Sequence, residues 1–432
     1  MIPVLRRRRR DDKPHLHVTA EPVRPREKFL LSLELLLHVL LIRKDGSQKT
    51  GGASERPMTK RRNLSQLESR PISEALPRRT WFTILSGLVM APWTRSLRGQ
   101  PILGSTTLRA VEGRLTPNDL FFVRSHFPEP NLSLQSWRLR VEGHVARPFE
   151  IQMSDLLEAE ITRLEAVLEC AGFDLGGDNL AASNALWEGV MVSDLLRRAG
   201  VREGASRVLL QGADSGSLGP SLPSYPFTRI VPLRKCMAPE TLVAFKMNGR
   251  FLPSEHGFPA RALVPGHYAT DSVKWLSRIV ILKEEDRPDA FYSSGMDRLY
   301  LREVGTAEGG VITSRVSSLL IKSRIAVPVH ESRWPPGRHT VWGFAWSGAS
   351  EVEGVEVSFD GGRTWNPTEL ESKPLPFTWV RWRCAWEAGS GQHVLLSRAW
   401  DRAGNHQPLT RDPNRRDGYE LNSCFPVKCT VV

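Results

Sequence analysis

Cysteine is scarce in this chain, with five residues among 432. No two of them form a CxxC pair, and no CxxCH motif occurs. Zinc sites of the finger type, dithiol redox sites and c-type haem attachment are therefore excluded on spacing. Cys424 and Cys429 are close in sequence. They would either pair in an oxidising compartment or be directed apart by strand pairing.

Long apolar runs are also missing. The best candidate, residues 29–42, is interrupted by Glu34 and His38. It is shorter than the roughly 20 residues that a membrane-spanning helix needs. We therefore expect no stable membrane span.

Excess charge is absent from most of the chain, although the net charge is +12. Residues 1–100 contain 21 Lys and Arg but 9 Asp and Glu, which leaves 38 residues of each sign among the remaining 332. A nucleic-acid-binding body needs clustered positive charge to displace counterions. We therefore expect no nucleic-acid partner for the folded part.

A basic and apolar segment indicates export. Residues 78–82 read Arg-Arg-Thr-Trp-Phe and precede a short apolar stretch, which is the pattern of a twin-arginine signal. Since such a signal stands near an N-terminus, we expect translation to start at Met58. Residues 1–57 would be an over-extended or disordered N-terminus, and residues 58–104 the signal segment and linker of a periplasmic or otherwise exported protein. The alternative is a basic flank before an ordinary amphipathic segment.

Cys170 stands out because it ends an apolar run and is followed at once by Ala171 and Gly172. The run, residues 164–169, predicts a buried strand whose end opens a loop. A large group can closely approach a thiol at such a place. A buried cysteine that packs like a small hydrophobic residue explains the same pattern, so the choice depends on the neighbouring motifs.

Six motifs follow one another in a defined order along the chain. They are Arg-x-His at 124–126, Glu-Cys-Ala-Gly at 169–172, Gly-x-Asp at 212–214, Met-Asn-Gly at 247–249, His-Gly-x-Pro-x-Arg at 256–261 and Ser-Val-Lys-Trp-Leu at 272–276. In this order they resemble the molybdopterin-binding domain of the sulfite oxidase family, from about Pro117 to Ile281. The resemblance implies an α+β molybdopterin domain over residues 105–308 and a cofactor of molybdenum and molybdopterin.

The resemblance also implies roles for single residues. Cys170 would be the metal ligand, since a soft thiolate suits molybdenum that already carries a dithiolene. Cys170, Tyr300 and Arg124 would form the catalytic set, with Tyr300 favoured over Tyr292 as the tyrosine beside the metal. The residues implied to bind the cofactor are Phe122, Val123, Arg124, Ser125, His126, Asp214, His256, Arg261, Ser272, Val273 and Lys274.

The pattern departs from the family directly after Cys170. The family reads Cys-Ala-Gly-Asn followed by an arginine, whereas this chain has Phe173 in the asparagine position and Asp174 nearby. Losing one cation and gaining one anion weakens the expected binding of a dianion such as sulfite. The resemblance therefore defines the cofactor and leaves the substrate open.

The pattern becomes all-β from about residue 309. Short alternating strands predict a sandwich, and Asp360-Gly361 carries a two-residue hairpin signal with Trp365 on the return strand. Residues 309–432 resemble the family's immunoglobulin-like dimerisation domain, which implies a homodimer.

Together these features predict a molybdenum oxidoreductase. By resemblance it transfers an oxygen atom to a small oxyanion or other sulfur compound and passes electrons to an external acceptor such as a cytochrome c. The same site in reverse would reduce a sulfoxide or N-oxide. A non-catalytic dimeric binding protein with a decayed pocket is the alternative from another class, since fold alone does not establish function.

Overall fold

The computed structural model describes residues 104–174 and 179–432, without the side chains of residues 173, 174 and 179. The predicted extended N-terminus and the export signal lie outside the described residues. Within the described part of the chain, no helix is long and apolar enough to cross a membrane.

Two sheets build the amino-terminal half. The strands are β1 (Thr106–Thr107), β2 (Arg138–Gly143), β3 (Phe149–Gln152), β4 (Thr162–Asp174), β5 (Asn179–Met191), β6 (Ala205–Gly216), β7 (Tyr225–Pro232), β8 (Leu242–Met247), β9 (Arg250–Phe251), β10 (Arg261–Leu263) and β11 (Leu276–Lys283). The first sheet has the order β1-β5-β8-β10, with β4 beside β5 and β9 beside β8. The second has the order β3-β2-β11-β6-β7.

The helices of this half are short. They are α1 (Met153–Glu158), α2 (Val192–Ala199), α3 (Leu233–Cys236) and α4 (Asp289–Tyr292), with single 3₁₀ turns at Leu108–Ala110, Ser254–His256, Ala269–Asp271 and Met296–Arg298. Helix α2 ends where Gly200 adopts a left-handed φ of 67°, and its N–H bonds back to the carbonyls of Leu196 and Arg197. The predicted α+β domain is thus mostly β-sheet.

Strand β4 has an apolar sequence because both of its faces are covered. Ala166, Val167 and Leu168 are at most 1 % exposed, as expected for a strand inside the protein rather than at its surface. Pairing with β5 shifts register between Glu169 and Asp174. The prediction that the strand ends at Cys170 is therefore wrong: a bulge, not a chain turn, interrupts the pairing there, and bulges re-aim side chains.

The carboxyl-terminal half consists of strands alone. They are β12 (Leu301–Gly305), β13 (Val311–Arg315), β14 (Lys322–Val327), β15 (Ser332–Trp334), β16 (Gly337–Trp346), β17 (Val352–Ser358), β18 (Asn366–Pro367), β19 (Glu369–Leu370), β20 (Val380–Ala388), β21 (Gly391–Asp401) and β22 (Val427–Val431). Strands β12 and β13 form a hairpin, and the others form sheets β14-β16-β20-β19 and β15-β22-β21-β17-β18.

These last two sheets share one core. Val341 and Trp382 of the four-stranded sheet and Val357 and Leu395 of the five-stranded sheet belong to the same buried cluster, and each of them is fully buried. Two sheets with a common core are the architecture that the alternating strands predict.

Two local predictions have a definite outcome. The prediction of a two-residue hairpin at Asp360-Gly361 is wrong, because β17 ends at Ser358 and the return strand begins after Trp365. The Asp360 carboxylate instead accepts hydrogen bonds from the N–H groups of Arg363 (3.0 Å) and Thr364 (2.9 Å), which stabilises a longer loop. Cys424 and Cys429 are buried and form no disulfide.

Candidate active site

One cleft in the amino-terminal half is lined by every residue that the sequence analysis predicted for the site. Its empty volume is about 650 Å³, part of it open solvent. The predicted residues that line it are Phe122, Val123, Arg124, Ser125, His126, Cys170, Asp214, His256, Arg261, Ser272, Val273, Lys274 and Tyr300. Tyr292 lines a different cavity. We refer to the first cleft as the cofactor cleft.

Cys170 reaches the cofactor cleft from the bulge of β4. The residues after it are closely packed: Ala171 is buried, and a Cβ on Gly172 would lie 2.7 Å from the ring of Tyr419. The Ala171 carbonyl accepts a hydrogen bond from the N–H of Glu420 at 2.8 Å. A side chain at position 172 would displace the Tyr419 ring, and the carboxyl-terminal half therefore covers the bulge that carries the thiol.

The residue before Cys170 ties the two halves of the chain together. Glu169 is 3 % exposed and forms an ion pair with Lys322 of β14, which is 2 % exposed. The indole of Trp346 donates to the same carboxylate at 2.7 Å. Both oxygens of the buried Glu169 carboxylate thus have a donor, one charged and one neutral. This network fixes the position of β4 directly before Cys170.

Cationic side chains form one wall of the cleft. Lys274 Nζ donates to Ser125 Oγ (2.6 Å) and to the carbonyl of Glu255 (2.8 Å). Arg261 donates to the carbonyls of His256 (3.1 Å) and Ser272 (2.7 Å). Burial lowers the pKa of Lys274 to about 7 and that of Arg261 to about 9. Burial removes water from these cations, and a bound anion would stabilise their charged forms in its place.

Asp214 is a buried hydrogen-bond acceptor, and one of its carboxylate oxygens has no described partner. Its carboxylate is 4 % exposed, and Oδ1 has no hydrogen-bond partner among the described residues. Burial raises the pKa of Asp214 to about 7, although the charge of Lys274 opposes the shift. An orphaned buried oxygen costs about 1–3 kcal/mol and indicates a missing donor. The amino and ring N–H groups of a pterin are donors of this kind, so the residues present fit the cofactor.

The tyrosine of the cleft is paired with a histidine. Tyr300 Oη lies 2.8 Å from His126 Nε2, and the His126 ring stacks on Phe227 with 4.9 Å between centroids. Burial, and then the charges of Arg124, Arg229 and Lys274, lower the pKa of His126 to about 3. Burial and the Cys170 thiolate raise the pKa of Tyr300. Both side chains are therefore neutral at physiological pH.

Arg124 supplies a positive charge to the cleft. The side chain is half-buried, and within the described part of the chain no carboxylate forms an ion pair with it. The arginines of the carboxyl-terminal half differ, because Arg302 and Arg415 both pair with Glu420. The side chains of Phe173 and Asp174 lie outside the described residues.

Sequence reasoning missed two residues close to Tyr300. The guanidinium of Arg229 lies 5.3 Å from the centre of the Tyr300 ring, and the ring of Tyr419 lies 5.2 Å from it. Arg229 is 2 % exposed, and its Nε donates to Asp271 Oδ1 at 3.1 Å. Neither residue belongs to a motif, so no signal in the sequence points to them.

Comparison with protein families gives two matches. Residues 126–291 match the oxidoreductase molybdopterin binding domain, and residues 313–429 match the Mo-co oxidoreductase dimerisation domain. The two matches follow the order of the two halves of the fold.

Several curated proteins are similar over most of the described chain. Sulfite oxidase of Gallus gallus is 32% identical over 333 residues, which is 69% of either chain. Mitochondrial sulfite oxidase of Mus musculus is 32% identical over 70% of this chain and 59% of its own length. NADH nitrate reductase of Cichorium intybus is 30% identical over 68% of this chain and 36% of its own. The chain thus spans less than two thirds of the mouse and chicory proteins.

A solved structure supports the same relationship. The sulfane dehydrogenase SoxCD from Paracoccus pantotrophus superposes with a TM-score of 0.65 at 28% identity, over 82% of this chain and 92% of that one. These relatives are named as an oxidase, a reductase and a dehydrogenase, so the alternative of a non-catalytic binding protein has no support among them. The molybdopterin-binding match of this chain implies the molybdenum cofactor. The chain belongs to the sulfite oxidase family of molybdopterin-dependent oxidoreductases.

Proposed function

We propose that this enzyme is exported and oxidises a small sulfur-containing anion by oxygen-atom transfer, giving two electrons to an external carrier such as a cytochrome c. The molybdenum cofactor, when bound, supplies the oxygen atom and the two-electron redox change. The observation that carries the proposal is that Arg124 and the Tyr300–His126 pair line the same cleft as Cys170.

The protein's first task is to hold the cofactor. The Cys170 thiolate would bind the metal, because soft sulfur ligands suit molybdenum. Lys274 and Arg261 would bind the phosphate, the first as a point charge and the second through its forked N–H groups. Asp214 would accept from the pterin, which satisfies its orphaned oxygen.

The second task is to bind and orient the substrate. Arg124 offers a guanidinium that no described carboxylate pairs with, whereas the guanidinium of Arg261 already donates to two backbone carbonyls, so an anionic substrate gains most at Arg124. His126 is neutral, and with its proton on Nε2 it donates to Tyr300 Oη. The Tyr300 hydroxyl proton then points to a substrate oxygen. Because burial keeps the Tyr300 pKa high, this proton stays on the hydroxyl and serves as a fixed donor.

The relatives support the substrate class and the assembly. Their names specify sulfite and sulfane as substrates, which are both reduced sulfur species. The match of residues 313–429 to a dimerisation domain supports a homodimer. The twin-arginine pattern at residues 78–82 supports export.

The test is a paired assay of the purified holoenzyme. Sulfite and thiosulfate are supplied with oxidised cytochrome c or ferricyanide, and we expect reduction of the acceptor that depends on the sulfur compound. Arg124→Ala should raise KM at least tenfold, with the rates expressed per molybdenum in each preparation. No turnover with any sulfur compound would overturn the proposal.

The second candidate is the reductive direction. The 30% identity to a nitrate reductase favours it. Nitrate or a sulfoxide, supplied with a reduced viologen dye, would be consumed if this direction holds. Turnover in the reductive assay, together with none in the oxidative assay, would replace the oxidative proposal with a reductive one.

A further inference from the structure

A second cavity, between the amino-terminal half and the segment around Arg315, is rich in arginine. Its empty volume is about 1580 Å³, part of it open solvent, and five arginines but two carboxylates line it. We name it the arginine cavity. Its charged residues are Arg207, Arg229, Arg234, Arg287, Arg315, Asp271 and Glu284.

The two carboxylates are already engaged. Asp271 accepts from Arg229 through Oδ1 (3.1 Å) and contacts His267 Nδ1 through Oδ2 (2.9 Å). Glu284 pairs with Arg207 at 3.3 Å and is 76% exposed, so solvent screens it. Neither carboxylate neutralises the remaining arginines.

Three arginines keep their charge without a carboxylate. Among the described residues, none forms an ion pair with Arg234, Arg287 or Arg315. Arg287 donates to backbone carbonyls, and the Arg315 guanidinium lies 4.4 Å from the ring centre of Phe291. Burial, and then the charge of Arg229, lower the pKa of Arg315, whereas its hydrogen bond to Tyr292 and the charge of Asp297 raise it by less. Arg234 and Arg287 are exposed and Arg315 is half-buried. Positive charge that the nearby carboxylates offset only in part attracts an anion.

We propose that the arginine cavity is a second anion site, which binds a doubly charged oxyanion of the sulfate or phosphate class. Guanidinium groups match such oxyanions because their parallel N–H donors meet two oxygens at once. Ser317 lines the same cavity. The site is distinct from the cofactor cleft, and Arg229 lies between them, since it lines the arginine cavity and its guanidinium is 5.3 Å from the Tyr300 ring.

Direct binding tests this proposal without any assay of turnover. Inorganic sulfate and inorganic phosphate are titrated calorimetrically into the purified enzyme, with sodium chloride holding the ionic strength constant. We expect saturable binding to the wild type and to Arg124→Ala, which removes the guanidinium that we propose binds the substrate in the cofactor cleft. The double variant Arg234→Ala/Arg315→Ala should bind at least tenfold more weakly.

Matched variants keep the test decisive. Arg338→Ala removes an exposed arginine of β16 that pairs with Glu387, and it should bind like the wild type. If the double variant does not fold, Arg234→Gln alone, at an exposed position, should weaken binding about threefold. The proposal is overturned if the wild type binds neither ion, if the double variant binds normally, or if Arg338→Ala weakens binding equally.

Discussion

The hydroxyl oxygen of Tyr300 lies 2.8 Å from Nε2 of His126, although 174 residues separate the two in the chain. Tyr300 has a φ of 59°, a left-handed conformation that costs about 1–3 kcal/mol in a residue other than glycine. Such strain persists only where the surroundings enforce it. The Tyr300–His126 pair therefore has one orientation, towards the cleft that contains Cys170.

Removal of this hydroxyl should affect turnover rather than folding. Tyr300→Phe loses one hydrogen bond to a charged substrate, worth about 1.5–3 kcal/mol, and we expect kcat/KM to fall about 10- to 100-fold. Steady-state kinetics with the sulfur substrate measure the effect. Tyr292→Phe is the matched control, since its hydroxyl contacts Arg207 outside the cleft, and it should keep wild-type kinetics. An equal loss of kcat/KM in both variants would show that the Tyr300 hydroxyl does not contact the substrate.

Replacement of the thiol should affect the metal directly. Cys170→Ser exchanges a soft sulfur ligand for a hard hydroxyl, so molybdenum content and turnover should both fall at least tenfold. Cys384→Ser, at a half-buried thiol of β20, is the control and should retain both. Elemental analysis of the purified variants decides the question, and full molybdenum in Cys170→Ser would show that another group holds the metal.

Much of the cofactor cleft was predictable because its residues occur in short motifs. His256 and Arg261 belong to one motif, and Ser272 and Lys274 to another, so each pair is close in space whatever the topology. The apolar run before Cys170 likewise predicted a buried strand, and β4 confirms it. Residues that belong to one short motif therefore lie close together in the folded protein as well.

The remainder depends on contacts between distant segments. Arg229 reaches Tyr300 because β7 lies at the edge of the second sheet, and no local pattern encodes that placement. The choice between Tyr300 and Tyr292 depends on α4 and the 3₁₀ turn after it, which send the two rings to different cavities. The bulge at Cys170 depends on the register with β5.

Asp214 should make the cofactor-free protein sensitive to pH. Its pKa in the fold is about 7 against 3.8 when unperturbed, so the folded state binds the proton more tightly than the unfolded chain. Stability attributable to Asp214 is thus full below pH 3.8 and is lost as the pH rises towards 7. Asp214→Asn abolishes this loss, and at pH 8 the variant should be roughly 2–4 kcal/mol more stable.

Denaturant unfolding of the cofactor-free protein at pH 4, 6 and 8 measures that difference. The free energies of unfolding of the variant and the wild type should be nearly equal at pH 4, and their difference should grow through pH 6. The same variant should retain less molybdopterin, because an amide can present its N–H₂ group where the pterin needs an acceptor. A gap that does not change with pH would show that Asp214 does not titrate in this range.

The buried pair of Glu169 and Lys322 should couple the stability of the fold to the metal site. Lys322→Met removes the cation and leaves the Glu169 carboxylate buried with the Trp346 indole as a neutral donor. An uncompensated buried charge costs about 3–5 kcal/mol, so we expect the free energy of unfolding to fall by that amount. Molybdenum content should fall too, since Cys170 follows Glu169 directly.

A double variant separates charge from packing. Glu169→Gln/Lys322→Met carries no charge at this place, and replacing both ions by neutral groups is often harmless. It should therefore recover most of the stability that Lys322→Met loses, as chemical unfolding would show. Arg338→Ala, which breaks an exposed pair, should cost less than about 1 kcal/mol. If the double variant is as unstable as Lys322→Met, the loss arises from the packing of the Lys322 side chain rather than from its charge.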